Sequence, residues 1–222
     1  MTVTRQAALG LAFLLAVLAA ILIAIGGVAY WQAWTFLAVF GIATTAITID
    51  LARRDPALLA RRVQAGPIAE PSVRQKIIQA FASVAFLALF AIAALDHRHG
   101  ANVPVAAAIA GDALVGFGLW IVARVFRANT FTSATIGVER DQAVVSTGPY
   151  AIVRHPMYAG ALVMLAGVPL ALASWWGLVA VPAMLAVIVW RLRDEERQLA
   201  AELRGYPEYR DRVKYRLVPY VW

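Results

Sequence analysis

None of the 222 residues is a cysteine. Disulfides, thiolate nucleophiles and cysteine-ligated metals are thereby excluded. Imidazole is scarce as well: His97, His99 and His155 are the only histidines. No carboxylate or further histidine stands at ligand-like spacing from His97 and His99, so no metal site is expected. Gly116-Phe117-Gly118 is not a dinucleotide loop, because no strand precedes it. There is no internal repeat. Charged residues make up only 15% of the chain, whereas 62% of it is hydrophobic and its mean hydropathy is +0.71. Soluble domains hold roughly 45–50% apolar residues, and several runs here reach the ~20 residues that cross a bilayer. The expected fold is all-α, a polytopic integral membrane bundle.

Six spans are expected: about Gln6 to Gly27, Trp31 to Leu51, Val73 to Leu95, Val103 to Phe126, Pro156 to Ala173 and Leu178 to Trp190. The first is long for a signal peptide and a second follows at once, so it reads as a retained helix. The last two are short and form a C-terminal helical hairpin that relies on tilt or on neighbours. Residues 1–102 supply the first spans and a basic loop, and 103–222 the functional core, within one structural unit. Asp112 lies inside the fourth span near its outer end, where it can reach the interface.

The net charge of +7 is unevenly placed. Lys and Arg gather in 52–76, 124–154 and 191–216 and at Arg5, all on one side under six spans; the other side has Arg98. The positive-inside rule then makes the termini cytoplasmic; the chain, rich in Ala and Arg, is bacterium-like, and a bacterial inner membrane is the expected location. The charge reports orientation and attraction to anionic lipid, not nucleic acid. Within the segment from Ala52 to Lys76, a short amphipathic piece over Pro56 to Val63 can rest on the membrane surface. The preferred reading of this segment is a solvated basic loop. Arg127 to Arg154 is a second polar segment, with a short hairpin expected around Glu139-Arg140-Asp141 and Ser146-Thr147-Gly148.

The densest chemistry lies in the stretch from Gly148 to Gly160, GPYAIVRHPMYAG. Pro156 keeps His155 out of the helical region and suits the first position of a helix itself. A turn, an extended Arg154-His155 and a helix start are expected, with the positive end of that helix facing the loop. Further on, Arg191 to Leu199 carries the sixth helix out of the membrane as a cytoplasmic extension. At ~100° per residue, Leu192, Glu196, Leu199 and Leu203 share one stripe. A carboxylate on that stripe needs a partner. Glu195 sits at its edge, one turn from Arg191. Gly205 ends the helix, and tyrosines at 206, 209 and 215 can cap the membrane face.

Taken together, Gly-x-Tyr-x-x-x-Arg-His-Pro-x-Tyr-x-Gly, an apolar hairpin, Arg-x-x-x-Glu-Glu-x-x-Leu, a Gly, a Tyr and a Leu-x-Pro end resemble the isoprenylcysteine carboxyl methyltransferase family. That family and its bacterial relatives are close to the phospholipid methyltransferases. The resemblance covers roughly residues 110–220. It implies a multispan enzyme that binds S-adenosylmethionine at the cytoplasmic membrane face without a Rossmann domain. On the matching positions it implies cofactor binding by Tyr150, Val153, Arg154, His155, Tyr158, Glu195 and Glu196. Arg191 and Glu196 are the implied catalytic residues, Arg191 beside the substrate. The tail departs from the pattern, with Arg212 where relatives often carry a tyrosine and one extra residue between Gly205 and Tyr209.

Transfer from a sulfonium is an in-line displacement needing alignment and a dry site. A carboxylate nucleophile needs no base, and Arg191 is expected to orient it through two parallel hydrogen bonds. Glu196 is expected to face the cofactor's cationic end or its ribose. The N–H groups over 156–158, with His155, are expected to hold its carboxylate. The acceptor is a lipophilic or lipid-like molecule entering between helices. A phospholipid amine or a small thiol is the alternative acceptor, and an amine requires a base. An NADPH-dependent sterol reductase is a remoter enzyme reading, and the non-enzyme reading is a membrane scaffold or transporter subunit.

Overall fold

Inside a bilayer, backbone N–H and C=O groups have no water to pair with, so an apolar crossing segment satisfies them within a helix. The chain obeys this throughout. The computed structural model describes residues 1–138 and 142–222. Among them the elements are α1 (Val3–Gly26), α2 (Trp31–Arg54), α3 (Pro56–Val63), α4 (Val73–Arg98), α5 (Val105–Ala128), α6 (Pro156–Ala171), α7 (Ala180–Glu202) and α8 (Tyr206–Arg212). Short 3₁₀ turns occur at Pro67–Ala69, Gly148–Ala151 and Trp176–Val179. No strand is present among the described residues, and Glu139-Arg140-Asp141, where a hairpin is expected, lie outside them.

Among the described residues, five stretches are long and apolar enough to span a membrane: α1, α2, α4, α5 and Trp176–Glu202, which contains α7. The fifth expected span, α6, has 16 residues. At 1.5 Å per residue it reaches ~24 Å, short of the ~30 Å hydrocarbon core. It still joins both ends of the bundle. At one end Tyr30, before α2, donates its hydroxyl to the Leu172 carbonyl just past α6. There Tyr30 also stacks on His97 with ring centroids 3.7 Å apart, and Ser174 and the Trp176 N–H bind Asp96 at 2.7 and 3.0 Å. At the other end, α6 begins beside the C-terminal end of α7. One buried cluster, including Leu18, Phe36, Phe90, Val115, Leu165 and Met184, draws on α1, α2, α4, α5, α6 and α7.

The short helix is held by its neighbour. α5 and α6 run antiparallel so closely that a Cβ on Gly111 would lie 2.1 Å from the Ala171 nitrogen. A Cβ on Gly118 would lie 2.5 Å from the Gly160 carbonyl oxygen, and one on Gly167 would lie 2.7 Å from that of Gly111. Spaced seven residues apart on each helix, these glycines form a seam where backbone meets backbone.

The segment from 52 to 76 departs from a solvated loop. Asp55 caps α3 by accepting the Leu58 N–H at 2.9 Å, and Pro56 opens that helix. Leu58 and Leu59 pack with Leu51 and Phe126. Glu70 and Gln75 are each 2% exposed. Their burial needs partners, and those partners are in the site.

Candidate active site

Pro156 and the residues before it behave as the sequence predicts. A 3₁₀ turn over Gly148–Ala151 is followed by Arg154 and by His155 at φ −123°, ψ 62°, and α6 starts at Pro156. The extended pair does not stand alone. The Arg154 and His155 N–H groups donate to the carbonyls of Tyr215 and Arg216 at 2.9 and 3.0 Å. The C-terminal segment is therefore strapped across the start of α6. Gly205, at φ +85°, makes the left-handed turn between α7 and α8. That turn buries Tyr206 and Tyr209 against Val144 and Tyr150, with the Tyr209 hydroxyl donating to the Tyr150 carbonyl at 2.8 Å.

These elements enclose a cavity of about 480 Å³, within the ~300–1,000 Å³ of small-molecule sites. It has two parts. Phe40, Phe86, Leu119, Met164, Met184 and Ile188 line an apolar arm among the helices. Arg62, Asn129, Tyr150, Arg154, His155, Tyr158, Arg191 and Glu195 line a polar chamber at the end of the bundle where α6 starts and α7 finishes. Tyr206 and Tyr209 close the chamber from the tail side.

Of the residues singled out by sequence, Tyr150, Arg154, His155, Tyr158, Glu195 and Arg191 all reach this chamber. Tyr158 donates to Glu195 at 2.7 Å and accepts from Arg191 Nε at 3.1 Å. Asn129 Nδ2 donates to the Tyr150 hydroxyl at 3.1 Å. Burial, aided by the Glu195 charge, pushes that hydroxyl up to about 12, so it stays protonated.

Arg191 is placed differently from the expectation of a pair with Glu195. Its partner is Glu70, at 2.7 Å. Nη1 donates to Gln75 and Gln79, each at 3.1 Å, and Nη2 to the Ala134 carbonyl at 2.9 Å. With the Tyr158 bond, these contacts occupy the five N–H donors a guanidinium owns. Glu70 in turn accepts the Ile136 N–H at 3.2 Å, which ties the loop after α5 to the loop before α4.

Glu196 and Val153 lie outside the cavity lining. Val153 is buried. Glu196 is 9% exposed and fully engaged. Its Oε1 lies 3.3 Å from both Arg154 Nη1 and His155 Nε2, and its Oε2 accepts Arg216 Nε at 3.0 Å. The carboxylate on the apolar stripe has found its partners, and it joins α7, the start of α6 and the tail.

Sequence reasoning missed Glu70, Gln75, Gln79 and Arg62. One signal was there to read: Gln75, Gln79 and Ser83 recur every four residues on an otherwise apolar span, which marks one polar face. Arg62 gave none. Its guanidinium carbon lies 5.1 Å from the centre of the Phe126 ring. Nη1 donates to the Ser133 carbonyl at 2.7 Å and lies 3.8 Å from the Met157 sulfur. Burial lowers its pKa from the ordinary arginine value, and Arg191 nearby pushes the same way. Arginine nonetheless stays charged. Asp112 belongs to the far half of the bundle, next to the Gly111–Ala171 contact. No group of three or more metal-ligating residues occurs among the described residues.

Residues 106–204 match the phospholipid methyltransferase family model. No curated protein matches the chain. The family match runs from α5 to just past α7 and takes in Tyr150, His155, Tyr158, Arg191, Glu195 and Glu196. Arg62 and Glu70 lie outside it, as does the tail. The match and the helical bundle together indicate an integral membrane methyltransferase.

Proposed function

We propose that the protein transfers a methyl group from S-adenosylmethionine to a lipophilic acceptor, with its active site and termini on the cytoplasmic side of a bacterial inner membrane. The observation that supports this most is the single cavity joining a polar chamber at the membrane end to an apolar arm between the helices. A charged, water-soluble cofactor and a membrane-soluble acceptor have to meet, and such a cavity provides for both. The chamber fits the cofactor chemically. Glu195 presents a carboxylate where a sulfonium or ribose hydroxyls require one, and Tyr150 and Asn129 add neutral hydrogen-bonding groups. The early N–H groups of α6, with His155 beside them, suit an amino-acid carboxylate.

When bound, the cofactor supplies an already activated methyl group. The residues then have to align and to exclude water. Arg191, saturated by protein partners, holds Tyr158, and Tyr158 holds Glu195. Glu196 fixes Arg154 and His155 to the strap. Tyr206 and Tyr209 keep solvent from the tail side.

The finer reading is a carboxylate acceptor of the isoprenylcysteine type. A carboxylate attacks without losing a proton, and among the described residues the chamber's His155 and Glu195 are engaged: His155 faces Glu196, and Glu195 is bonded by Tyr158. A phospholipid amine is the second reading, favoured by the family match. Methyl transfer from labelled S-adenosylmethionine, measured in nanodiscs with an S-farnesylated N-acetylcysteine and with phosphatidylethanolamine, tests the two. Turnover of the first alone is expected. Turnover of the amine alone would replace the finer reading, and no saturable cofactor binding by folded protein would defeat the whole.

A further inference from the structure

Three arginines line the chamber, and they differ in what neutralises them: Arg154 has Glu196 at 3.3 Å. Arg191 has Glu70 at 2.7 Å and four further acceptors. Arg62 has no carboxylate within ion-pair distance among the described residues, and its one oxygen acceptor there is the Ser133 carbonyl. A partly buried cation that faces a cavity with no carboxylate beside it among the described residues is incompletely compensated. The chain meets part of that need with the Phe126 face and the Met157 sulfur, both weak partners. The remainder is available to a ligand.

Its position identifies which ligand. Phe126 and Met157 pack in the same cluster as Val122, and Val122 and Leu119, one turn apart on α5, line the cavity toward the apolar arm. Arg62 therefore stands where the apolar arm opens into the polar chamber. A lipid-like molecule with its tail in the arm would place its polar head there. We infer that Arg62 is the anchor for an anionic head group on the lipophilic acceptor, and so a specificity-determining residue of this site. The inference rests on the methyltransferase reading for the word acceptor. A guanidinium can grip a carboxylate with two parallel N–H donors, which also leaves the carboxylate's second lone pairs free to attack.

The test separates this role from the reading beneath it. Binding of S-farnesylated N-acetylcysteine and of its carboxamide is measured directly in nanodiscs, beside S-adenosylhomocysteine binding, for wild type and for Arg62→Gln, Arg62→Lys and Arg61→Gln. Arg61 sits on the same helix but points to Thr130, so it controls for general surface charge. Wild type should prefer the carboxylate probe. Arg62→Gln should weaken it by about tenfold or more, the loss of one charge-assisted contact, and abolish the preference. The amide and the homocysteine product should bind as before. Arg62→Lys should keep part of the preference, and Arg61→Gln all of it. An undiminished carboxylate preference in folded Arg62→Gln overturns the inference, as does a selective loss of S-adenosylhomocysteine, which would give Arg62 to the cofactor. If wild type binds no homocysteine product yet the carboxylate preference depends on Arg62, the anion anchor stands and the methyltransferase reading falls.

Discussion

α6 belongs to two regions built on opposite principles. On the side facing α5, Gly111, Gly118, Gly160 and Gly167 remove side chains until backbones touch. On the side facing α2, α4 and α7, Met164, Leu165, Tyr158 and their neighbours stop short of one another and leave about 480 Å³ open. The first region spends specific residues on closeness and the second on keeping a space. The difference shows how a helix too short to cross by itself can carry a site. Its position is fixed from one side, so its N-terminal turn can be aimed into the cavity from the other.

The largest expected effect lies at the cavity rim and not in the seam. Glu70→Ala removes the charge partner of a buried arginine. Breaking such a pair costs ~3–5 kcal/mol, because the guanidinium is left behind. Thermal unfolding in nanodiscs should show a large loss, and Glu70→Gln, which can still accept from Arg191, a smaller one. Equal losses for the two would mean that volume, not charge, matters at this position. Next comes Gly118→Ala. The new methyl meets the Gly160 carbonyl, and overpacking costs ~1–3 kcal/mol. Stability should fall while S-adenosylhomocysteine affinity at low temperature holds. If affinity fell in step with stability, the seam and the cavity would not be separable regions.

Much of this fold is legible in sequence because it depends on run length and on breaks. The five spanning stretches and the shorter apolar α6, the turn into Pro156 and the break at Gly205 follow from apolar periodicity and from glycine and proline chemistry. The half of the site that lies in local motifs was legible too: Tyr150, Arg154, His155, Tyr158, Arg191 and Glu195 converge on one chamber. What failed was partner choice. Arg191 lies one turn from Glu195, yet it pairs with Glu70, distant in sequence, because the loop before α4 folds under the bundle. Charge runs usually mean solvation, and 52–76 has the composition of a solvated segment. Only tertiary packing shows that Glu70 and Gln75 turn inward. Glu196 teaches the reverse. Its need for a partner was readable from the apolar stripe, but Arg216 and the strap it belongs to were not.

Tyr158→Phe sharpens the contrast with the seam from the other side. It should cost about 1–1.5 kcal/mol, the net value of a lost hydrogen bond, which leaves the fold intact. Cofactor affinity should drop about tenfold, because Glu195 loses its donor and Arg191 Nε its acceptor. Isothermal titration of S-adenosylhomocysteine against a thermal melt of the same sample would show binding impaired more than folding. The opposite pattern would make Tyr158 a packing residue.

The smallest effect is expected from an ion pair formed by the same two helices that carry Gln75 and Arg191. Arg74 meets Asp194 at 2.9 Å, a distance close to that of Arg191 from Glu70. Their surroundings differ: the Arg74 side chain is 57% exposed and that of Arg191 11%. Asp194 also keeps Gln75 as a donor and Arg197 at 3.5 Å. Exposed pairs contribute ~0–1 kcal/mol and are screened by salt. Arg74→Ala should therefore shift the melting temperature very little, and raising the salt concentration should erase even that. Glu70→Ala should stay destabilised at any salt concentration. Two pairs of similar length, both made with α7, would then differ because one is wet and one is dry. A large, salt-resistant loss in Arg74→Ala would show that the dry region extends beyond the chamber to the outer face of α7.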